Sequence, residues 1–104
     1  MNLENILITG SSGLVGAPLV TKLLNKSNLI VGIDPVINSE CNENYKHISI
    51  PLNSVEDVTN LLEKYDITKI IHTGGISGPM LANENPNIII ENNIFFTMYL
   101  ICLL

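Results

Sequence analysis

Arginine is absent from this chain, and five lysines face ten acidic residues, for a net charge of −5. That balance argues against a nucleic-acid surface, whose phosphates call for Lys and Arg. It also argues against any site built on bidentate guanidinium clamps. Cysteine is scarce: Cys41 and Cys102 stand far apart and share no metal-ligand spacing, so neither a disulfide framework nor a metal site is expected. Cys102 sits in an apolar run and reads as a small core residue. No basic segment followed by an apolar core opens the chain, so no secretion signal is read, and the reducing cytosol is the expected compartment. A long hydrophobic run is missing too. The apolar stretch from Ile88 is broken by Glu91-Asn92-Asn93, and the clean run from Ile94 is about half of what spans a bilayer. No membrane helix is expected.

What is present is a chain of 104 residues, 46% hydrophobic and 14% charged. This is the composition of one globular domain. Apolar runs alternate with helical patterns, and no internal repeat interrupts them. Strands are expected at Ile6–Ile8, Leu29–Ile33, His47–Ile50 and Lys69–His72. Pro51 is expected to stop the third. The polar stretch from Asn38 to Lys46 reads as loop. Between the first two strands, Leu14 to Asn25 carries a helical stripe through Val15, Leu19 and Leu23, with Pro18 tolerable near its first turn. A second helix is expected to begin at Ser54 as N-cap, with Glu56 and Asp57 in its first turn, and to run to about Tyr65. A third is expected to open at Asn85-Pro86. Alternating strands and helices imply parallel strands with right-handed crossovers. The expected fold is therefore α/β, a doubly wound parallel sheet of about four strands.

The first strand runs into Gly10-Ser11-Ser12-Gly13-Leu14-Val15-Gly16. Gly10 permits a tight turn, Gly13 a close backbone approach, and Gly16 close packing of helix on sheet. Free N–H groups at the start of such a helix face phosphates, and the whole arrangement holds a dinucleotide pyrophosphate. No Gly-Lys-Ser/Thr follows, which excludes the usual nucleoside-triphosphate loop. Asp34 ends the second strand near the distance at which a carboxylate accepts hydrogen bonds from an adenosine ribose. It would repel a 2′-phosphate, so NAD is expected over NADP. Otherwise Asp34 simply opens a turn before Pro35.

The spacing Gly-x-x-Gly-x-x-Gly resembles the short-chain dehydrogenase/reductase superfamily, and specifically its extended NAD-dependent epimerase/dehydratase branch. Two further segments carry the resemblance. Ile70-Ile71-His72-Thr73-Gly74-Gly75 is similar to the family's fourth strand, where small residues line the nicotinamide side. Asn85-Pro86 through Asn93 and Thr97 is similar to its next helix, with Phe96 in place of a Gly. The resemblance covers essentially the whole chain, in the manner of the N-terminal, Rossmann-like NAD-binding part of a longer protein. It implies cofactor contacts at Gly10, Ser12, Gly13, Leu14, Val15, Gly16 and Asp34, and further contacts at Leu52, Thr73, Gly74 and Asn93. Pro51-Leu52-Asn53 stands where the family often has an Asp for the adenine amino group, leaving Leu52 to offer backbone contacts.

The resemblance also implies what to look for in catalysis. Family members use a Tyr and a Lys four residues on, sharing one helical face, with the Tyr as general acid/base beside NAD. Tyr65 and Lys69 have that spacing, but they run from a helix end into a strand and cannot share a face. His72, at a strand end without a paired acid or nucleophile, reads as structural. No catalytic residue and no metal ligand is assigned. The expectation is an NAD(H)-binding part of an oxidoreductase acting on a sugar nucleotide or a similar hydroxyl substrate, inactive alone. A non-catalytic nucleotide sensor and a partner-dependent interaction subunit are the alternatives. The final helix is expected to be apolar on two stripes, one through Ile90, Ile94, Met98 and Ile101, the other through Phe95, Tyr99 and Cys102. In the family that helix helps join two subunits, so a homodimer or a partner chain is expected there.

Overall fold

The structure, a computed structural model, describes residues 3–36, 42–50, 55–74 and 96–103. Four strands form one sheet: β1 (Asn5–Thr9), β2 (Leu29–Ile33), β3 (Tyr45–Ile48) and β4 (Lys69–His72). All neighbours are parallel, and the spatial order is β3-β2-β1-β4. Three helices accompany them: α1 (Gly16–Leu23), α2 (Val55–Lys64) and α3 (Phe96–Leu103).

Side chains of a strand alternate between faces, and here each face has its own core. Ile6, Ile8 and Ile30 point to one side, where Val20 and Tyr45 are buried with them and Leu19, Leu23 and Leu24 of the α1 region pack alongside. Leu7, Val31 and Ile33 point to the other side, against Val58 and Leu61 of α2 and Leu100 of α3. Leu7, Ile8, Ile30, Val31 and Ile33 are fully buried. Each contributes about 1.5–3 kcal/mol through burial of its side chain. The two central strands are thus continuous apolar runs, as helices on both faces require. The outer strands β3 and β4 are only partly covered.

Local chemistry sets the element ends. Pro18 is the third residue of α1, within the first turn, where proline is tolerated. Glu56 and Asp57 lie in the first turn of α2 and Lys64 in its last, each favourably placed in the helix dipole. Ser54, Asn85 and Pro86 lie outside the described residues. At the amino end of the sheet, the Asn5 side chain donates to the Tyr65 carbonyl at 2.9 Å and accepts from Asn28 at 2.8 Å. That end also holds Tyr65 and Lys69, one in the turn after α2 and the other opening β4, on no common helix.

Three expectations are corrected. The third strand begins at Tyr45 and ends at Ile48, two residues earlier than expected. Its partner β2 ends at Ile33, opposite Ile48, so the ladder stops there rather than at Pro51. The stretch read as loop therefore yields its last residues to β3, with Tyr45 buried. The first helix begins at Gly16, which leaves Leu14 and Val15 exposed before it rather than on its buried stripe. On α3, Leu100 turns inward at 3% exposure, while Met98, Ile101 and Cys102 are exposed. Cys102 is a surface thiol, not a core residue.

Candidate functional site

In the order β3-β2-β1-β4 the chain reverses direction of travel across the sheet between β1 and β4. The carboxyl ends of the strands at such a reversal are the usual ligand site of parallel sheets. The turn after β1 and the segment after β4 flank it.

Gly10 has φ +70, a conformation that side-chain-bearing residues rarely adopt. It lies so close to Gly74 that a Cβ would meet the Gly74 backbone at 2.7 Å. Gly16 is tighter still: a Cβ there would stand 2.1 Å from the Gly10 carbonyl oxygen and 3.0 Å from Thr73 Oγ1. The turn is internally bonded. Gly10 N–H donates to the Ile33 carbonyl at 2.7 Å, and Gly13 N–H to the Gly10 carbonyl at 3.0 Å. From β4, Thr73 Oγ1 donates to the Thr9 carbonyl at 2.6 Å, and Gly74 N–H to Thr9 Oγ1 at 3.0 Å. Gly10, Gly13, Gly16, Thr73 and Gly74 are therefore one cluster.

Asp34 joins it from β2. The carboxylate is buried, at 7% exposure. Its Oδ2 accepts the Ser12 N–H at 3.2 Å and its Oδ1 accepts the Val36 N–H at 2.9 Å. Each oxygen of a carboxylate accepts about two hydrogen bonds, so acceptor capacity remains. Asp34 both opens the turn before Pro35 and ties it to the glycine segment. Leu14 and Val15 form the exposed rim, at 97% and 67% exposure.

The entrance to α1 has no side-chain cap. The backbone N–H groups of Leu14, Val15 and Gly16 have no acceptor among the described residues. Ser12 Oγ is buried there and has no partner among the described residues either. Buried polar atoms are ordinarily bonded, so an orphan hydroxyl beside unpaired amides at a helix start fits an anionic oxygen such as a phosphate. Leu52 and Asn93, the remaining two expected contacts, lie outside the described residues.

His72 stands at the end of β4. Thr9 Oγ1 is 2.5 Å from its Nδ1 and Thr97 Oγ1 is 2.9 Å from its Nε2. The ring thus bridges two hydroxyls, and in its neutral form one nitrogen donates while the other accepts. Burial lowers the His72 pKa below 6.5, which favours this neutral ring. His72 thus links β1, β4 and α3 structurally. Sequence reasoning missed this link to Thr97, and it missed the Ser11–Tyr45–His47 group beside Asp34. The alternation Tyr45-Lys46-His47 was the available signal for the latter. Among the described residues, no three His, Cys, Asp or Glu side chains gather as a metal site, and no helix is long and apolar enough to cross a membrane.

The sequence profile of the NAD dependent epimerase/dehydratase family matches residues 6–104. The chain belongs to the NAD-dependent epimerase/dehydratase family. Among curated relatives it is 32% identical to an uncharacterized protein of Methanocaldococcus jannaschii, over 89% of this chain and 33% of the relative. The fold is that of the L-threonine dehydrogenase of Clostridium difficile, with a TM-score of 0.82 at 20% identity over 99% of this chain and 33% of that one. It is likewise that of the UDP-glucose 4-epimerase of Thermotoga maritima solved with UDP-glucose, with a TM-score of 0.80 at 19% identity over 95% of this chain and 33% of that one. The chain thus spans about a third of the length of each of these three proteins.

Proposed function

We propose that residues 1–104 are the NAD(H)-binding part of an epimerase/dehydratase-type oxidoreductase. In this reading the pyrophosphate lies against the Leu14, Val15 and Gly16 amides and Ser12 Oγ, with Gly10 and Gly13 keeping the backbone low beneath it. Asp34 accepts the adenosine ribose hydroxyls. Thr73 and Gly74 border the nicotinamide side, and the family resemblance adds Leu52 and Asn93 as further cofactor contacts. When bound, NAD supplies the hydride acceptor. The chain's own residues bind and orient it and assign no acid or base, so the segment by itself is inactive. The substrate is a sugar nucleotide or a similar hydroxyl compound. The Thermotoga epimerase supports the former and the Clostridium dehydrogenase the latter.

The observation that carries the reading is the buried, unpartnered Ser12 Oγ beside unpaired helix-start amides, with Asp34 bonded to the same turn. Calorimetric titration of the 104-residue chain tests it. NAD is expected to saturate one site, NADP to bind more weakly, and Asp34→Ala to weaken NAD about tenfold through loss of charge-assisted hydrogen bonds. No NAD binding by the folded chain would remove the reading.

The exposed Met98 and Ile101 of α3 favour a second, compatible reading, association with a second copy or a partner chain through that helix. Analytical ultracentrifugation of the chain and of an Ile101→Glu variant checks it.

A further inference from the structure

β3 reaches across its end to hold the segment that carries Asp34. Residues 45 and 47 share a strand face, and their rings lie 6.2 Å apart. They sit beside Gly32, where a Cβ would fall 2.2 Å from the Tyr45 hydroxyl and 2.6 Å from Ser11 Oγ. The missing side chain is what lets both hydroxyls settle there. His47 Nδ1 is 3.1 Å from the Tyr45 hydroxyl and 3.5 Å from Ser11 Oγ. Its Nε2 is 2.8 Å from the Val36 carbonyl. A carbonyl only accepts, so Nε2 carries the proton and Nδ1 accepts from Tyr45.

Two further bonds run in step with that one. Asp34 N–H donates to the Ile48 carbonyl at 3.3 Å. Ser49 Oγ donates to the Pro35 carbonyl at 2.9 Å. Three successive residues at the end of β3 therefore hold three successive residues after β2. Val36, whose carbonyl His47 takes, also gives its N–H to Asp34 Oδ1. The Asp34 carboxylate is thus fixed from one side by Val36 and from the other by Ser12.

We infer that His47 is a positioning residue for dinucleotide recognition. By holding Val36 it orients the Asp34 carboxylate toward the ribose hydroxyls, and so sets the preference for NAD over NADP. This rests on the NAD-binding reading above. A carboxylate held by two amides at fixed angles discriminates better than a mobile one, because its orientation is set before the ligand arrives.

The test uses the 104-residue chain with His47→Ala, His47→Phe and His47→Gln, each alone and with Asp34→Ala. Phe keeps a ring of similar size without either nitrogen, and it carries the test should Ala not fold. Gln donates to the Val36 carbonyl and accepts from Tyr45. NAD and NADP are titrated by calorimetry, and amide hydrogen exchange at Val36 and Ser12 is followed without nucleotide. His47→Phe is expected to weaken NAD about five- to tenfold, with a smaller effect on NADP. His47→Gln is expected to restore most of the difference, and His47→Phe to add nothing in the Asp34→Ala background. Val36 is expected to exchange faster in His47→Phe than in the parent or His47→Gln. Unchanged NAD affinity in His47→Phe, or losses that add to those of Asp34→Ala, would overturn the inference. If the parent chain binds no NAD, the NAD reading fails on its own and hydrogen exchange decides the clamp. Unchanged Val36 exchange in His47→Phe then overturns it.

Discussion

Gly16 leaves no room for even a methyl group, because the atom it would meet is the Gly10 carbonyl, part of the backbone. A backbone atom cannot swing aside as a side-chain end can. Gly16→Ala is therefore expected to cost about 1–3 kcal/mol, measured by urea unfolding, and to push α1 away from the turn. His72 gives a second residue-scale expectation. Its pKa is lowered in the folded chain by burial, so the unfolded chain binds the proton more readily. Stability is then fully present above the unfolded value of 6.5 and is lost as pH falls through the lowered folded value. Thermal melts from pH 7.5 down to 5 are expected to show that decline, and His72→Gln is expected to flatten it. The backbone places of Gly10, Gly16 and Asp34 were legible because adjoining residues dictate them: a tight turn, a helix start and a strand end before a turn. His47 was not. Its place follows from Gly32 on the neighbouring strand and from a carbonyl after that strand, and neither is adjacent in sequence.

At the scale of elements, α3 shows where sequence pattern runs out. Met98, Leu100, Ile101 and Cys102 make this helix apolar on every side, so periodicity gives it no phase. Packing against α2 and the sheet selects Leu100 as the inward residue. Leu100→Ala is expected to cost about 2–5 kcal/mol, and Ile101→Ala to stay within about 0.5 kcal/mol, in paired chemical denaturation. The strand β3 teaches a related lesson. A proline marked its latest end, whereas the true end is the point at which β2 stops offering partners. Strand β2 carried its bounds in its own residues, as an uninterrupted apolar run between polar turns, and β4 carried them as an isoleucine pair between Lys69 and His72.

For the whole molecule, the alternation of strands and helices was enough to give a parallel doubly wound sheet. The two separate cores follow from it, since each strand must supply both faces. Ligand binding to such a fold acts on all of it at once. With NAD at a hundred times its dissociation constant, stability is expected to rise by about 2.7 kcal/mol. The melting temperature should climb with the logarithm of NAD concentration, and Asp34→Ala should shift that dependence to higher concentrations. The place of β1 at the centre of the sheet has a consequence in time. Its bond to the β2 side joins residues 23 apart, Asn5 and Asn28, whereas its bond to the β4 side joins residues 64 apart, Thr9 and Thr73. Loop closure over the longer span is entropically dearer and slower. As the chain leaves the ribosome, β1 and β2 can pair first, with one edge of β1 open to other strands until β4 emerges. The junction between β1 and β4, which carries the glycine cluster, is thus the last part of the sheet to come into being.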